Sequence, residues 1–277
     1  FLQFSEVANP QDSVHIAIVG GGATGVELSA ELYNAVDRLE QFGVDKVHHQ
    51  SLKVTLIEAA PRILPVLPDA LASKAQKTLT DLGVEVLTQK AVSAVASQTL
   101  ITPEGEIKAD LLVWAAGIKA PAFLTTLGLP SNRINQLEID STLRVTGQTD
   151  IFAIGDCAFL APDNTDERPV PPTAQAAHQM AATCADNIIA TLNNQPNPPI
   201  NYCDHGALVS LSRFQTLGKL LDQLLNKNWM VEGKLAHWAY ASLYRQHQLA
   251  LHGYWKTGWI LLSSLIAKRI KPKLKLY

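Results

Sequence analysis

Short, almost wholly apolar runs recur along the chain and end abruptly at glycine or an acid. Val14–Val19 stops at Gly20, Lys53–Ile57 at Glu58 and Leu111–Ala116 at Gly117. Such runs, without an apolar/polar alternation, predict strands buried on both faces of a parallel sheet. Between the first two lies a helical stretch through Leu39, followed by a segment from Phe42 to Ser51 that reads as an inserted loop. A second helix is predicted from Asp69, as its cap, to Leu82, with Gly83 suited to a left-handed ending. Val84–Leu87 then reads as a third strand. Alternating stretches over Ala91–Ile101 and Glu106–Ala109, parted by Pro103-Glu104-Gly105, predict a small antiparallel ribbon. Further on, Asp150–Ile154 reads as a short buried strand, Thr173–Leu192 as a helix, and Ala207–Ser212 as a strand. The remainder reads as helical with aromatic and basic residues. The expectation is an α/β protein with a Rossmann-like unit over residues 1–117, a second unit over 118–212 and a C-terminal region over 213–277.

Chemistry enters at the end of the first strand. Gly20-Gly21-Gly22-Ala23-Thr24-Gly25 places the Gly-x-Gly-x-x-Gly pattern between a strand and a helix. Gly20 permits the tight turn, Gly22 lets the backbone approach a pyrophosphate, and Gly25 allows close helix-to-strand packing; the helix amides and dipole face the phosphates. The second strand ends in Glu58, where a carboxylate can accept both ribose hydroxyls of NADH and repel the extra phosphate of NADPH. It comes later than the usual ~20 residues after the glycines because of the inserted loop. Glu27, early in the helix, reads either as a functional acid or as one favoured by the helix dipole.

Length, charge and cysteines narrow the class. At 277 residues and 47% hydrophobic content the chain can bury about two cores. Its formal net charge of −2 hides an asymmetry: residues 233–277 contain eight Lys or Arg and no acid, leaving fifteen basic and 25 acidic groups in the first 232. An acidic body with a basic tail points to an anionic surface and not to nucleic acid. Cys157, Cys184 and Cys203 are widely spaced, which predicts free thiols and no metal centre. The start, Phe1-Leu2-Gln3-Phe4, has no signal-peptide pattern and reads as the interior of a longer protein.

Ile151-Phe152-Ala153-Ile154-Gly155-Asp156 sets one carboxylate after a strand, beside a glycine through which a ligand can approach. Alone, Gly-Asp is commonly a turn with a helix cap. Following a dinucleotide unit that ends in Trp114-Ala115-Ala116-Gly117-Ile118-Lys119-Ala120-Pro121, it reads as a contact to the ribityl chain of FAD.

With these segments, Pro172–Gln179, Asp204–Ser210 and Ser242-Leu243-Tyr244-Arg245, the chain resembles the type II NADH:quinone oxidoreductases, most closely the bacterial members. That family opens with another Gly-rich βαβ unit for the FAD adenosine, so the chain resembles roughly its C-terminal two-thirds. The resemblance implies a two-dinucleotide flavoprotein that passes hydride from NADH to FAD and electrons to a membrane quinone without pumping protons. It implies that Gly20, Gly21, Gly22, Gly25 and Glu58 hold NADH, that Glu27 lies near the nicotinamide, and that Ala116 and Gly117 line its approach to the flavin. It further implies that Asp156 and Ala174 contact FAD, and that Gln175 and Gln179 face the quinone on Ala174-Gln175-Ala176-Ala177-His178-Gln179. An Ala-rich helix bearing Gln and His is otherwise an ordinary packed helix.

The most apolar C-terminal run, Gly258–Ala267, is too short to span a bilayer, which takes ~20 residues. Trp255, Trp259, Leu262, Ile266 and Ile270 form a helical stripe, with Lys268, Arg269, Lys271, Lys273 and Lys275 crowding its end. That pattern suits an interfacial anchor on the cytoplasmic face of a bacterial inner membrane; the plain alternative is a helix packed on the body or on a second copy in a homodimer. Two rival functions stay open: an NADH-binding module unable to retain FAD, and a relative of the flavin disulfide reductases.

Overall fold

The computed structural model describes residues 13–41, 49–162, 169–204, 206–211, 215–220, 229–232, 248–249 and 251–263. Its first unit is organised by a four-stranded parallel sheet of β1 (Val14–Val19), β2 (Leu52–Ile57), β3 (Glu85–Leu87) and β7 (Leu111–Trp114), in the order β3-β2-β1-β7. The central strands β1 and β2 are buried along most of their length, with Ile18, Val54 and Leu56 wholly buried and Lys53 turned outward. Helix α1 (Ala23–Gln41) and helix α2 (Asp69–Asp81) pack on the sheet through Val26, Ala30, Leu71, Ala75 and Leu79. Burying each large aliphatic side chain contributes about 1.5–3 kcal/mol.

Register has a functional consequence. Val19 pairs with both Ile57 and Trp114, and Ile57 pairs with Leu87. The residues that follow, Gly20, Glu58 and Ala115, therefore emerge at one edge, the carboxyl ends of the strands, where ligands of open α/β sheets bind.

The ribbon between β3 and β7 has three strands, β4 (Ala94–Ala96), β5 (Thr99–Thr102) and β6 (Gly105–Lys108). A turn at Ser97-Gln98, with Gln98 at φ 53°, splits the single stretch expected over Ala91–Ile101. Leu100 and Ala109 close over Ala17, Val19 and Ile57. Asp69 is the first residue of α2 and not its cap: Pro68 holds the cap position, no side chain caps there, and the Asp69 carboxylate turns to Arg62 at 3.2 Å. Gly83 does adopt the left-handed conformation, φ 96°.

The second unit comprises residues 117–205 and 221–226, while 206–220 and 227–277 group with the first. Its short parallel pair, β8 (Leu137–Ile139) and β9 (Ala158–Leu160), packs with Leu143, Val145 and Ala153 against Met180 and Cys184 of α3 (Ala174–Leu192). The strand expected over Asp150–Ile154 does not form; the segment makes one isolated antiparallel bridge, Phe152 to Arg144, through the Val145 N–H to the Ile151 carbonyl and the Ala153 N–H to the Leu143 carbonyl. Thr173 caps α3, its hydroxyl accepting from the Ala176 N–H at 3.3 Å. Buried Asn187 ties α3 to the loops by donating to the Thr142 and Pro198 carbonyls at 2.8 and 3.1 Å.

Downstream of residue 205 the strand expected over Ala207–Ser212 forms as the first of three, and the helical expectation for the remainder fails at residues 215–220 and 229–232. An antiparallel sheet of β10 (Gly206–Leu211), β11 (Gln215–Leu220) and β12 (Trp229–Glu232) forms instead. Val209 and Leu211 of β10 complete the core around α1, so apolar residues there serve a sheet face, period two, and not a helix stripe. Residues 251–263 are helical. Among the described residues no helix is long and apolar enough to cross a membrane. Most of the expected loop from Phe42 to Ser51, His205, Tyr244-Arg245 and the tail from 264, with Ile266, Ile270 and its five closing basic residues, lie outside the described residues.

Candidate functional site

The glycine turn is built from its neighbours outward. Gly20 stands at φ 115°, and a side chain there would meet the Ala115 carbonyl carbon at 2.6 Å, so β7 leaves the sheet against the turn. A Cβ on Gly25 would lie 2.0 Å from the Gly20 carbonyl oxygen, the close crossing of helix and strand expected of the third glycine. Gly22 differs. Beyond its chain neighbours, no protein atom lies within 4 Å of where its Cβ would be, so packing does not demand glycine there. This bare patch at the N-terminus of a 19-residue helix fits an anionic pyrophosphate.

Glu58 lies at the turn, as the pattern predicts, and its carboxylate is already engaged. Oε2 accepts the Gly21 N–H at 2.6 Å and Oε1 accepts the Ala60 N–H at 2.8 Å. Each oxygen keeps a further lone pair for a ribose hydroxyl. Half-buried Glu27 is the fifth residue of α1, and no acid occupies the first turn, so the helix dipole gives little account of it. Ala116 and Gly117 follow β7 and are both exposed; Gly117 is at φ 77° with open space around it.

In the second unit the Asp156 turn, a short 3-10 segment over Gly155–Cys157, rests on the start of α3. The Gly155 N–H donates to Met180 Sδ at 3.3 Å, and a Cβ on Gly155 would touch Ala177 at 3.6 Å. Buried Gln136 donates to the Asp156 carbonyl at 2.9 Å, leaving the Asp156 side chain exposed. The Gly155–Cys157 turn thus lies against the first half of α3, at Ala177 and Met180.

The two glutamines are not free-standing. Gln175 Nε2 donates to Asp204 Oδ1 at 2.9 Å. Gln179 exchanges two hydrogen bonds with the Cys203 main chain, Nε2 to the carbonyl and Oε1 from the N–H, both 2.9 Å. Beside them burial raises the Tyr202 hydroxyl above its usual range, and the Asp204 charge raises it further. Gln136 and Arg62 carry no motif signal and escaped the sequence reading; Cys203 was read only as a free thiol and not for its main chain, and Asp204 stood in a quoted segment without a role.

At the opposite end of β1, His15 Nε2 meets Thr55 Oγ1 at 2.9 Å, and Thr55 donates to Glu85 at 3.0 Å. Burial, then the nearby Lys53 charge, lowers the His15 pKa. The three cysteines are free thiols, and burial raises the pKa of Cys184.

Comparison with known proteins agrees with this construction. Over 277 residues the chain is 47% identical to a type II NADH:quinone oxidoreductase of Haemophilus influenzae, covering 99% of this chain and 62% of that protein. A protein of the same name from Staphylococcus saprophyticus is 32% identical over 215 residues, 75% of this chain and 52% of its own length. The chain therefore spans between about half and two-thirds of the length of these relatives. In fold it is similar to NDH2 of Plasmodium falciparum, solved in complex with NADH, with a TM-score of 0.77 at 19% identity over 99% of this chain and 71% of that one. The sequence profile of the pyridine nucleotide-disulphide oxidoreductases matches residues 3–181, and with the strand, glycine turn and helix in place the chain belongs to that family.

Proposed function

We propose that this chain carries the NADH-binding unit and the quinone-facing helix of a type II NADH:quinone oxidoreductase that does not pump protons. The observation that carries this reading is the bare Gly22 turn with the Glu58 carboxylate fastened to Gly21 beside it. The 47% identity to the Haemophilus influenzae protein of that name supports the assignment.

In this reading Gly20, Gly21, Gly22 and Gly25 hold the pyrophosphate of NADH, and Glu58 takes the ribose hydroxyls. Glu27 stands by the nicotinamide, with Ala116 and Gly117 along its approach. A bound FAD would supply the hydride acceptor and two-electron donor for such a reaction. The exposed Asp156 carboxylate, its backbone steadied by Gln136, has the right chemistry to accept from a ribityl hydroxyl, and Ala174 is small enough for a flat ring to approach. Gln175, positioned by its Nε2 bond to Asp204 at the start of α3, faces the quinone. Gln179, with both amide ends on Cys203, contributes to the quinone site by holding the segment beside it.

Attachment to the cytoplasmic face of a bacterial inner membrane belongs to the same proposal. Leu251, Tyr254, Trp255, Trp259 and Leu262 are exposed on the helical stretch over residues 251–263, whereas Thr257 is buried. Exposed aromatics in a basic segment suit a lipid interface carrying anionic headgroups; a second copy of the chain is the other occupant that face would accept.

The test is an anaerobic visible spectrum of the purified chain supplied with FAD, before and after NADH. Retained flavin that bleaches on adding NADH supports the oxidoreductase reading. NADH binding without retained flavin points to an NADH-binding module alone, and no NADH binding overturns the proposal.

A further inference from the structure

Between β2 and α2 the chain makes a loop, Pro61–Pro68, that reaches back to the glycine turn. The Leu64 N–H donates to the Gly21 carbonyl at 2.8 Å, while Glu58 accepts the Gly21 N–H at 2.6 Å from the other side. The Gly21 residue is thereby gripped at both its N–H and its carbonyl. Space is closed as well: a Cβ on Gly21 would meet Glu58 Cβ and Ile63 Cγ2, each at 2.9 Å.

Leu64 makes its bond at a cost. It is fully buried, yet its φ is 50°, a left-handed conformation that a branched, bulky residue adopts only when its surroundings impose it. The imposing group is Arg62. Its Nη1 donates to the Leu64 carbonyl at 3.3 Å and the Leu67 carbonyl at 2.9 Å, and its Nη2 donates to the Pro65 carbonyl at 3.1 Å and pairs with Asp69 at 3.2 Å. One planar guanidinium bridges three carbonyls of its own loop, a task that a lysine, with a single point of charge, cannot reproduce.

We infer that Arg62 is a positioning residue for NADH: without touching the dinucleotide, it holds Leu64 so that Gly21 presents a ready-made pyrophosphate cradle. This rests on the reading of the glycine turn as the NADH site. Preorganisation raises affinity by removing the ordering cost at the moment of binding, so loosening the loop costs affinity even where the fold survives. The guanidinium is committed to its own loop, so it is also not offered to the 2′-phosphate of NADPH.

The experiment compares NADH and ADP-ribose affinities of the wild-type chain, Arg62→Ala, Arg62→Lys and Asp69→Asn by fluorescence or calorimetric titration at low temperature, alongside thermal melts. Arg62→Ala and Arg62→Lys are expected to weaken both ligands in the same ratio, about tenfold or more, because the pyrophosphate and not the nicotinamide is affected. Asp69→Asn, at an exposed carboxylate, is expected to leave affinity within about twofold of wild type. A merely structural role would lower the melting temperature and leave affinity at low temperature unchanged, and that result in Arg62→Ala overturns the inference. Should Arg62→Ala not fold, unchanged affinity in Arg62→Lys overturns it equally. Failure of the wild-type chain to bind NADH at all would instead remove the reading of the site on which the inference stands.

Discussion

Gln179 and Cys203 are joined as two strand residues would be, the side-chain amide of one exchanging a pair of 2.9 Å hydrogen bonds with the main chain of the other. The amide of a helix residue thus stands in for a missing strand and holds residues 203–204 beside α3, where Asp204 meets Gln175. Replacing Gln179 by Leu removes both of these bonds and is expected to destabilise the fold by about 1–3 kcal/mol. Urea denaturation measures it; a change under about half a kcal/mol would show that water takes over both bonds at no cost.

Gly22→Ala and Gly25→Ala separate what the ligand demands from what packing demands. At Gly25 the new methyl would sit 2.0 Å from the Gly20 carbonyl oxygen, so stability falls by at least about 2 kcal/mol and NADH binding falls with it. At Gly22 the methyl meets no protein atom beyond its chain neighbours, so the melting temperature stays near wild type while NADH affinity drops. Full NADH affinity in Gly22→Ala would mean that no phosphate lies there.

Glu58→Gln places an NH2 against either the Gly21 or the Ala60 N–H, since the carboxylate accepts from both. A donor facing a donor is a lost charged hydrogen bond, and NADH affinity is expected to fall by about tenfold or more. Removal of the negative charge narrows the preference for NADH over NADPH. An unaltered ratio of the two affinities, measured by titration, would count against the ribose role.

The lowered pKa of His15 has a definite sign in stability. Both states are neutral well above the unfolded value of about 6.5, where no penalty exists. As pH falls below it the unfolded chain takes up a proton that burial and Lys53 deny the folded one, so stability declines with falling pH until the lower folded pKa is passed. His15→Gln is expected to flatten this part of the dependence, visible in urea midpoints at pH 7.5 and 5.5 relative to wild type. Parallel curves for the two proteins would exclude a contribution from His15.

Trp255 and Trp259 are 87% and 69% exposed. Changing both to Ser is expected to leave the melting temperature unchanged and to weaken association with vesicles containing anionic lipid by about tenfold or more. Vesicle sedimentation gives the answer, and loss of a dimer in place of lipid binding would assign the face to a second copy.

Much of the first unit could be read directly from the chain. β1, the glycine turn, α1, β2 ending at Glu58 and β7 are specified by contiguous residues, because an apolar run, a glycine and a helical period are all local properties. The helix Ala174–Leu192 was legible for the same reason, although Thr173, read as its first residue, is its cap. By contrast, Gln98 breaking a ribbon in two, or a leucine forced to φ 50° at position 64, has no signature in composition.

The amino-acid sequence by itself determined the glycine turn, the acid that faces it, the parallel strands around it and the helix that begins beside Thr173. Tertiary structure alone decided that Glu58 is fastened to Gly21, that Arg62 stabilises Leu64 from within its loop, that Gln179 serves the Cys203 backbone, and that β10 returns to the core around α1. The physical reason is range. Secondary structure and turn glycines answer to residues a few positions away, whereas each of these contacts is settled by which backbone donors and acceptors are left unpaired once distant segments have packed.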